Sequence, residues 1–263
     1  MRTIIVGDIH GCYHEFLSLL HKVNYNGKKD KLILLGDLMD RGPLSYEMLR
    51  LAMHWKKKNP DRFFLIRGNH EQMIVEQSGA LDTRLIWRVV GKTDTIRSFR
   101  KHRDRMELYI PWILKNMPLY YKDEKIQCVH AGIKEENPKQ NSTDLLVKDH
   151  SWSKTNQYGG RITIIGHTPL DAPTYYDGSG NAGEPLSYGV WKELPAQGAI
   201  CIDTGCVFGK KLTAMILENG SYYLDCVPGQ PYSVINTHFY VGLIRKFCAL
   251  PLIRNFCSGE NSK

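Results

Sequence analysis

Six residues of the metal-ligand type share one local setting in this chain. Asp8, His10, Asp37, Asn69, His130 and His167 each close a short apolar run, and most of them stand beside a glycine. Their donors are carboxylate and amide oxygen and imidazole nitrogen, without thiolate, a mixture that suits manganese, iron or zinc at a catalytic centre. Six protein ligands exceed the needs of one open catalytic ion. A pair of divalent ions sharing a bridging carboxylate fits the number better. The flanking glycines let the backbone turn sharply and let an ion and a substrate approach closely.

The runs that precede these residues read as buried strands: Thr3 to Val6, Lys31 to Leu35, Phe63 to Ile66, Ile126 to Val129 and Ile162 to Ile165, with a further one at Ile200 to Ile202 before Asp203-Thr204-Gly205-Cys206. Between the first three lie helical patterns. Phe16, Leu19, Leu20 and Val23 fall on one helix face, as do Met48, Leu51, Ala52 and Trp55. Strands alternating with helices predict βαβ crossovers and a mainly parallel sheet, whose ligands gather at the carboxyl ends of the strands. Residues 72–118 read as a mostly helical cap. It is locally basic at Arg97, Arg100, Lys101, Arg103 and Arg105, and so is either a solvated surface or a substrate-facing lid that attracts anions. Residues 171–198, rich in Gly, Pro, Asp and Tyr, read as an irregular loop near the site. Leu212 to Leu217 and Tyr222 to Val227 read as a hairpin around Glu218-Asn219-Gly220-Ser221.

The length of 263 residues allows one large α/β domain. A catalytic domain over residues 1–232 and an apolar, basic tail over 233–263 are the expected division. The tail carries Arg245, Lys246, Pro251 and Arg254, too much charge to span a bilayer, and is expected to dock on the domain or on a partner. No membrane-spanning helix is predicted, and the chain enters a strand directly after Met1. A cytosolic protein of a bacterial or phage-like source is the expectation. The seven cysteines have no Cys-x-x-Cys spacing and read as reduced, buried thiols rather than a zinc site. The net charge of +8 favours anionic partners, among them phosphorylated or nucleotide substrates, without itself demonstrating nucleic-acid binding.

Five motifs taken in order carry a resemblance. Gly7-Asp8-Ile9-His10-Gly11, Gly36-Asp37-Leu38-Met39-Asp40-Arg41-Gly42, Arg67-Gly68-Asn69-His70-Glu71, His130-Ala131-Gly132 and Gly166-His167-Thr168 together resemble the calcineurin-like metallophosphoesterases, more narrowly their phosphoprotein phosphatase branch in the bacterial and phage-lambda style. The resemblance implies an α/β fold with a central β-sandwich of two mixed sheets flanked by helices in four layers. It implies two divalent ions, manganese first and iron or zinc otherwise. Asp8 and His10 would bind the first ion, Asp37 would bridge, and Asn69, His130 and His167 would bind the second. His70 would protonate the leaving oxygen with Asp40 orienting it, Arg41 would hold the phosphate, and a metal-bridging hydroxide would attack phosphorus directly. Arg67 is expected either to touch phosphate or to brace the loops, and Glu71 to open a helix or pair with Arg67. His14, His21, His54 and His102 are expected to be ordinary surface or packing residues.

One departure stands out. The family's second phosphate-binding arginine, in a Trp-x-Arg context, has no counterpart in Asp144 to Trp152. Lys148 or Arg161 is the candidate replacement, although lysine lacks the bidentate fork. For substrate, Asp40-Arg41-Gly42 and Glu71 favour phosphoserine and phosphothreonine in proteins, or small phosphoesters. The alternative is a symmetrical dinucleoside tetraphosphate hydrolase or another nucleotide or RNA-end phosphohydrolase. That hydrolase carries Ala-Arg-Gly and an Asp at the corresponding places. A non-catalytic phosphate-binding module is disfavoured by the complete set of ligand and acid residues.

Overall fold

The computed structural model describes residues 1–77, 81–150 and 158–233. The readings that concern Trp152 and the tail beyond Ser233 lie outside these residues. The chain begins with β1 (Thr3–Val6), α1 (Tyr13–Lys22), β2 (Lys31–Leu34), α2 (Ser45–Lys58), β3 (Phe63–Leu65) and α3 (Asn69–Val75). These three strands pair in parallel, as the alternation predicts. The helical segment follows as α4 (Leu81–Trp87), a π turn at Arg88–Lys92, α5 (Thr93–Lys101), a 3-10 turn at Met106–Tyr109 and α6 (Ile110–Asn116). The second half supplies β4 (Tyr120–Lys122), β5 (Gln127–Val129), α7 (Thr143–Lys148), β6 (Thr163–Ile165), β7 (Thr174–Tyr176), β8 (Glu184–Pro185), β9 (Lys192–Glu193), β10 (Ala199–Cys201), β11 (Lys211–Glu218) and β12 (Ser221–Pro228).

The strands form two sheets, ordered β3-β2-β1-β11-β12-β9 and β4-β5-β6-β10-β7-β8. Both are mixed: β11 runs antiparallel to β1, and β10 runs parallel to β6 but antiparallel to β7. The single mainly parallel sheet drawn from the βαβ alternation is therefore split, with β1 to β3 parallel in one sheet and β5, β6 and β10 parallel in the other. After the helical segment one further βαβ unit, β5-α7-β6, is followed by strands that return to either sheet. The loop reading of 171–198 is likewise modified, since β7, β8 and β9 lie within it.

Three apolar layers explain why the strands are continuously hydrophobic rather than alternating. Ile4, Val6, Leu32 and Leu34 face outward onto α1 and α2, where they meet Phe16, Leu19, Met48 and Leu49. Ile5, Ile33 and Ile66 face inward and meet Ile164, Ile200 and Ile202 of the other sheet. Val129, Ile165 and Cys201 face outward again, onto Leu146 and Val147. A strand buried on both faces has no polar side to display. α1 illustrates the local logic. Phe16, Leu19 and Leu20 make its buried face, Glu15 sits in the first turn, and His21 and Lys22 in the last, signs that complement the helix dipole. The β11–β12 hairpin closes through Asn219 and Gly220, both at positive φ (51° and 82°), the backbone that a two-residue hairpin turn requires. All five cysteines among the described residues are free thiols, four of them buried. Among the same residues no helix is long and apolar enough to cross a membrane.

Candidate active site

Each candidate ligand leaves the carboxyl end of a strand or the first turn after it. Asp8 and His10 follow β1, Asp37 follows β2, Asn69 opens α3 behind β3, His130 follows β5 and His167 follows β6. The two sheets bring these ends to one edge of the sandwich. The backbone there is held in an uncommon state: His10, Asp37, Asp40, Arg41 and His167 all have positive φ, between 48° and 69°. Such non-glycine residues cost on the order of 1–3 kcal/mol each and persist where surrounding structure over-determines them, as at active sites. The Asp37 carbonyl anchors the first loop by accepting from the N–H groups of Ile9 (3.2 Å) and His10 (2.7 Å). Gly68 is required by proximity, because a Cβ there would lie 2.0 Å from Asp37 Oδ1.

Two groups of donors converge on Asp37. His10, Asp37 and His70 form one, and Asp37, His130 and His167 the other, each with its ligand atoms within 4.8 Å of one another. Asp37 Oδ2 lies 3.5 Å from His10 Nε2 and 3.4 Å from His130 Nε2. Asn69 Oδ1 lies 3.0 Å from His130 Nε2 and 2.9 Å from His167 Nδ1. Both oxygens of Asp8 accept from the His167 N–H at 3.1 Å, which ties the first motif to the last. The imidazole orientations are fixed from behind: His10 Nδ1 faces the Met39 carbonyl (2.9 Å) and His130 Nδ1 faces that of Leu35 (2.8 Å). A ring that donates through Nδ1 presents its Nε2 lone pair forward, the usual arrangement of a metal-ligating histidine.

The electrostatics favour cations at this edge. Burial, reinforced by Asp203, pushes Asp8 well above the ordinary carboxylate range. Burial likewise pushes Asp203 up to about 6 and, with Asp37 adding to it, Glu71 up to about 7. Burial also opposes the ionisation of Asp37, yet His130, His70 and His10 around it outweigh that and hold its carboxyl well below the usual range. Burial disfavours protonated His130, but Asp37 and Asp8 prevail and raise it to about 10. His10 and His167 go the other way. Burial, then Arg41 for His10 and His130 for His167, keeps both well below the usual imidazole value, hence neutral and able to ligate. Several buried carboxylates beside the neutral imidazoles of His10 and His167, and a buried His167 Nε2 without a hydrogen-bond partner, fit divalent ions.

The remaining predicted residues fall into distinct positions. His70 and Asp40 are fully buried, and His70 Nδ1 lies 2.7 Å from Asp40 Oδ2 while Nε2 has no hydrogen-bond partner. Arg41 Nη1 lies 2.5 Å from His10 Nε2, with the guanidinium 5.3 Å from the Phe208 ring centroid. Arg67 instead donates to the Met117 carbonyl and to Gln72 Oε1, bracing the start of α3. Lys148 pairs with Asp144 and Glu76, and Arg161 donates to the carbonyls of Asp123 and Glu124. Arg97, Arg100 and Lys101 join Arg88 and Lys92 along an open groove of about 920 Å³ with Leu81 and Ile96 in its wall.

Some participants were not singled out from sequence. The His150 ring stacks on His167 at 4.1 Å, and its Nδ1 lies 3.1 Å from Thr168 Oγ1. Asp203, already read as closing the strand Ile200 to Ile202, follows β10 as the ligands follow their strands and belongs to the same edge. Glu71 does open α3, as expected, but its larger contribution is to Asp37. Its two oxygens accept from the N–H groups of Asp37 (2.9 Å), Leu38 (2.9 Å) and Gly68 (3.1 Å). Glutamine offers one acceptor and turns an NH2 toward backbone donors. Glu71→Gln is therefore expected to weaken metal binding by about 10–100-fold, the range for groups that orient ligands. Titration of the metal-free protein with Mn measures it, and an unchanged affinity would show that the three bonds do not position Asp37.

Oxygen and nitrogen donors at the strand ends of a two-sheet sandwich fit a metal-dependent hydrolase. Residues 1–201 match the family model of the calcineurin-like phosphoesterases, and the chain belongs to that family. It is accordingly a phosphoester hydrolase of a metal-dependent type. Among curated relatives, the symmetrical bis(5'-nucleosyl)-tetraphosphatase of Methylobacillus flagellatus is 26% identical, covering 90% of this chain and 99% of its own. The asymmetrical bis(5'-nucleosyl)-tetraphosphatase PrpE of Halalkalibacterium halodurans is 29% identical over 82% of this chain and 89% of its own. Among solved structures, a metallophosphoesterase from Sphaerobacter thermophilus superposes with a TM-score of 0.60 at 16% identity, covering 96% of both chains.

Proposed function

We propose that this protein hydrolyses nucleoside polyphosphates, with dinucleoside tetraphosphates as the leading substrate class. The observation that carries this reading is the near full-length similarity to two bis(5'-nucleosyl)-tetraphosphatases. It reverses the order of preference drawn from the short motifs. Asp40-Arg41-Gly42 and Glu71 still favour the second reading, a phosphoserine and phosphothreonine phosphatase. Glu71, however, accepts backbone N–H groups behind Asp37, so its identity speaks to the metal site more than to the substrate.

In this reading Asp8 and His10 would hold one ion, Asn69, His130 and His167 would hold the other, and Asp37 would serve both. Two divalent ions bound there supply neutralisation of the phosphoryl oxygens and a water of lowered pKa. Arg41 offers a planar donor fork to the phosphate. His70 presents Nε2 toward the centre and donates a proton to the departing oxygen, while Asp40 fixes its Nδ1–H. The cationic groove over α4 and α5 raises the local concentration of polyanionic substrates.

The test is a parallel assay of Mn-loaded protein on diadenosine tetraphosphate, a phosphoserine peptide and an aryl phosphate. Diadenosine tetraphosphate is expected to give the highest kcat/KM. A phosphopeptide turned over faster would establish the second reading in its place, and no hydrolysis of any of the three would defeat both.

A further inference from the structure

The candidate acid pair is held by the helical segment as well as by its own loops. Asp40 is fully buried, and its carboxylate is shared among three donors. Oδ2 accepts from His70 Nδ1 at 2.7 Å and from the Trp87 indole Nε1–H at 2.8 Å. Oδ1 accepts from the Thr95 hydroxyl at 2.5 Å. The Asp40 N–H, in turn, donates to Thr95 Oγ1 (3.0 Å) and to Ser45 Oγ (3.1 Å). Trp87 and Thr95 are both 0% exposed, so water does not replace either bond. Trp87 ends α4 and Thr95 lies in the first turn of α5.

What lets two helices reach one carboxylate is the π turn between them. Gly91 within it has φ 142°, and a Cβ there would lie 2.6 Å from both Asp40 Cβ and Arg41 N. The helical segment thus sits directly on the Asp40-Arg41 backbone, itself at positive φ (69° and 68°). A buried tryptophan needs a partner for its N–H, but a backbone carbonyl or a serine would serve that need equally. Here the partner is the same oxygen that faces His70.

We propose that Trp87 and Thr95 are positioning residues for the His70–Asp40 pair, holding the Asp40 carboxylate in the orientation that directs His70 Nε2 toward the leaving group. The segment containing α4 and α5 therefore has an inward role in the chemistry, distinct from its outward cationic groove. Asp40 sits in a turn and cannot hold its own plane. With Trp87 on one oxygen and Thr95 on the other, rotation of the carboxylate breaks at least one bond in a site closed to water. His70, whose Nδ1 bond follows that plane, turns with it. The inference rests on His70 acting as the acid.

The experiment uses full-length, Mn-loaded protein and phenyl phosphates graded from good to poor leaving groups. Trp87→Phe keeps the ring and removes only the N–H. Thr95→Val keeps the shape and removes the hydroxyl. Each is expected to lower kcat on the poorest leaving group by about tenfold or more, the rate equivalent of one hydrogen bond to a carboxylate. KM and bound metal are expected to stay unchanged, and the loss is expected to shrink toward the best leaving group. Thr95→Ser restores the hydroxyl and is expected to restore the rate. In a His70→Asn background, Trp87→Phe is expected to add nothing.

A uniform loss across all leaving groups, or no loss, overturns the proposal. A further loss on top of His70→Asn does so too, since the effect would then bypass the acid. If His70→Asn alone shows no leaving-group dependence, the acid role fails and this inference with it. If it does show one while Trp87→Phe and Thr95→Val do not, only the positioning role is lost. An independent readout is the His70 Nδ1 proton in NMR spectra. Its exchange with solvent is expected to speed up about tenfold in Trp87→Phe, and unchanged exchange counts against the proposal.

Discussion

Asp37→Asn is expected to remove catalysis and both metal ions together. Oδ2 of Asp37 stands 3.5 Å from His10 Nε2 and 3.4 Å from His130 Nε2, between the two donor groups. No other described carboxylate belongs to both groups. Asparagine is nearly isosteric, so packing and the bond from His70 N–H to Oδ1 (3.0 Å) survive if the amide oxygen takes that place. The NH2 then points where the second oxygen had faced the imidazoles. It brings no charge and no lone pair, and it presents hydrogens to the position of an ion. The expected loss of kcat/KM is at least about 10²–10³-fold, the scale for deleting one preorganised group that stabilises developing charge. Elemental analysis of dialysed protein is expected to find both ions substoichiometric. A variant that retained two equivalents of metal would remove Asp37 from the bridging position.

His70→Asn separates an acid from a ligand. His70 shares a donor group with His10 and Asp37, and its Nε2 lies 3.9 Å from Asp37 Oδ2, so position alone permits either role. The hydrogen bonding fits both roles as well, and the acid is the role that the resemblance of Gly68-Asn69-His70-Glu71 implies. Nδ1 is held by Asp40 at 2.7 Å, and the buried Nε2 has no hydrogen-bond partner in the described structure. The proposed ligand sets, Asp8 and His10 on one side of Asp37 and Asn69, His130 and His167 on the other, would not require His70, whereas the donor group on the His10 side holds His70 and not Asp8. Loss of a general acid costs about 10²–10⁴-fold when the leaving group is poor and little when it departs unaided. The variant is therefore expected to lose turnover steeply along a series of worsening leaving groups while keeping its metal. Loss of an ion in His70→Asn would reassign the residue as a ligand.

These two residues also mark where the sequence was informative. Asp37 and His70 were both legible because each stands in a short motif directly behind an apolar strand. Strand endings, glycine turns and ligand chemistry are local properties, set by a few consecutive side chains. The parallel pairing of β1, β2 and β3 was legible for a related reason. Each strand is followed by a helix, and a crossover of that length returns the chain in the same direction. Arg67 shows the limit of such reading: its neighbours in sequence pointed equally to phosphate and to bracing, and the structure has it bonded to Met117 and Gln72.

The sequence by itself determined which residues carry oxygen and nitrogen donors and that they end buried strands, and the resemblance carried by its five motifs implied metal-assisted hydrolysis of phosphoesters. The resemblance implied two mixed sheets, and only the tertiary structure decided which strands pair in each. Thr3 pairs with Leu217, and Ala199 with both Thr163 and Tyr176, and partners so distant in sequence are chosen by packing, not periodicity. Only the tertiary structure, too, brought Glu71 behind Asp37, His150 against His167, and Trp87 and Thr95 onto Asp40. Tryptophan and threonine in a helical stretch have no spacing that announces a carboxylate waiting 47 or 55 positions earlier. Orientation of a catalytic group is a property of three-dimensional enclosure, in which several weak contacts from separate elements must all be satisfied at one buried point.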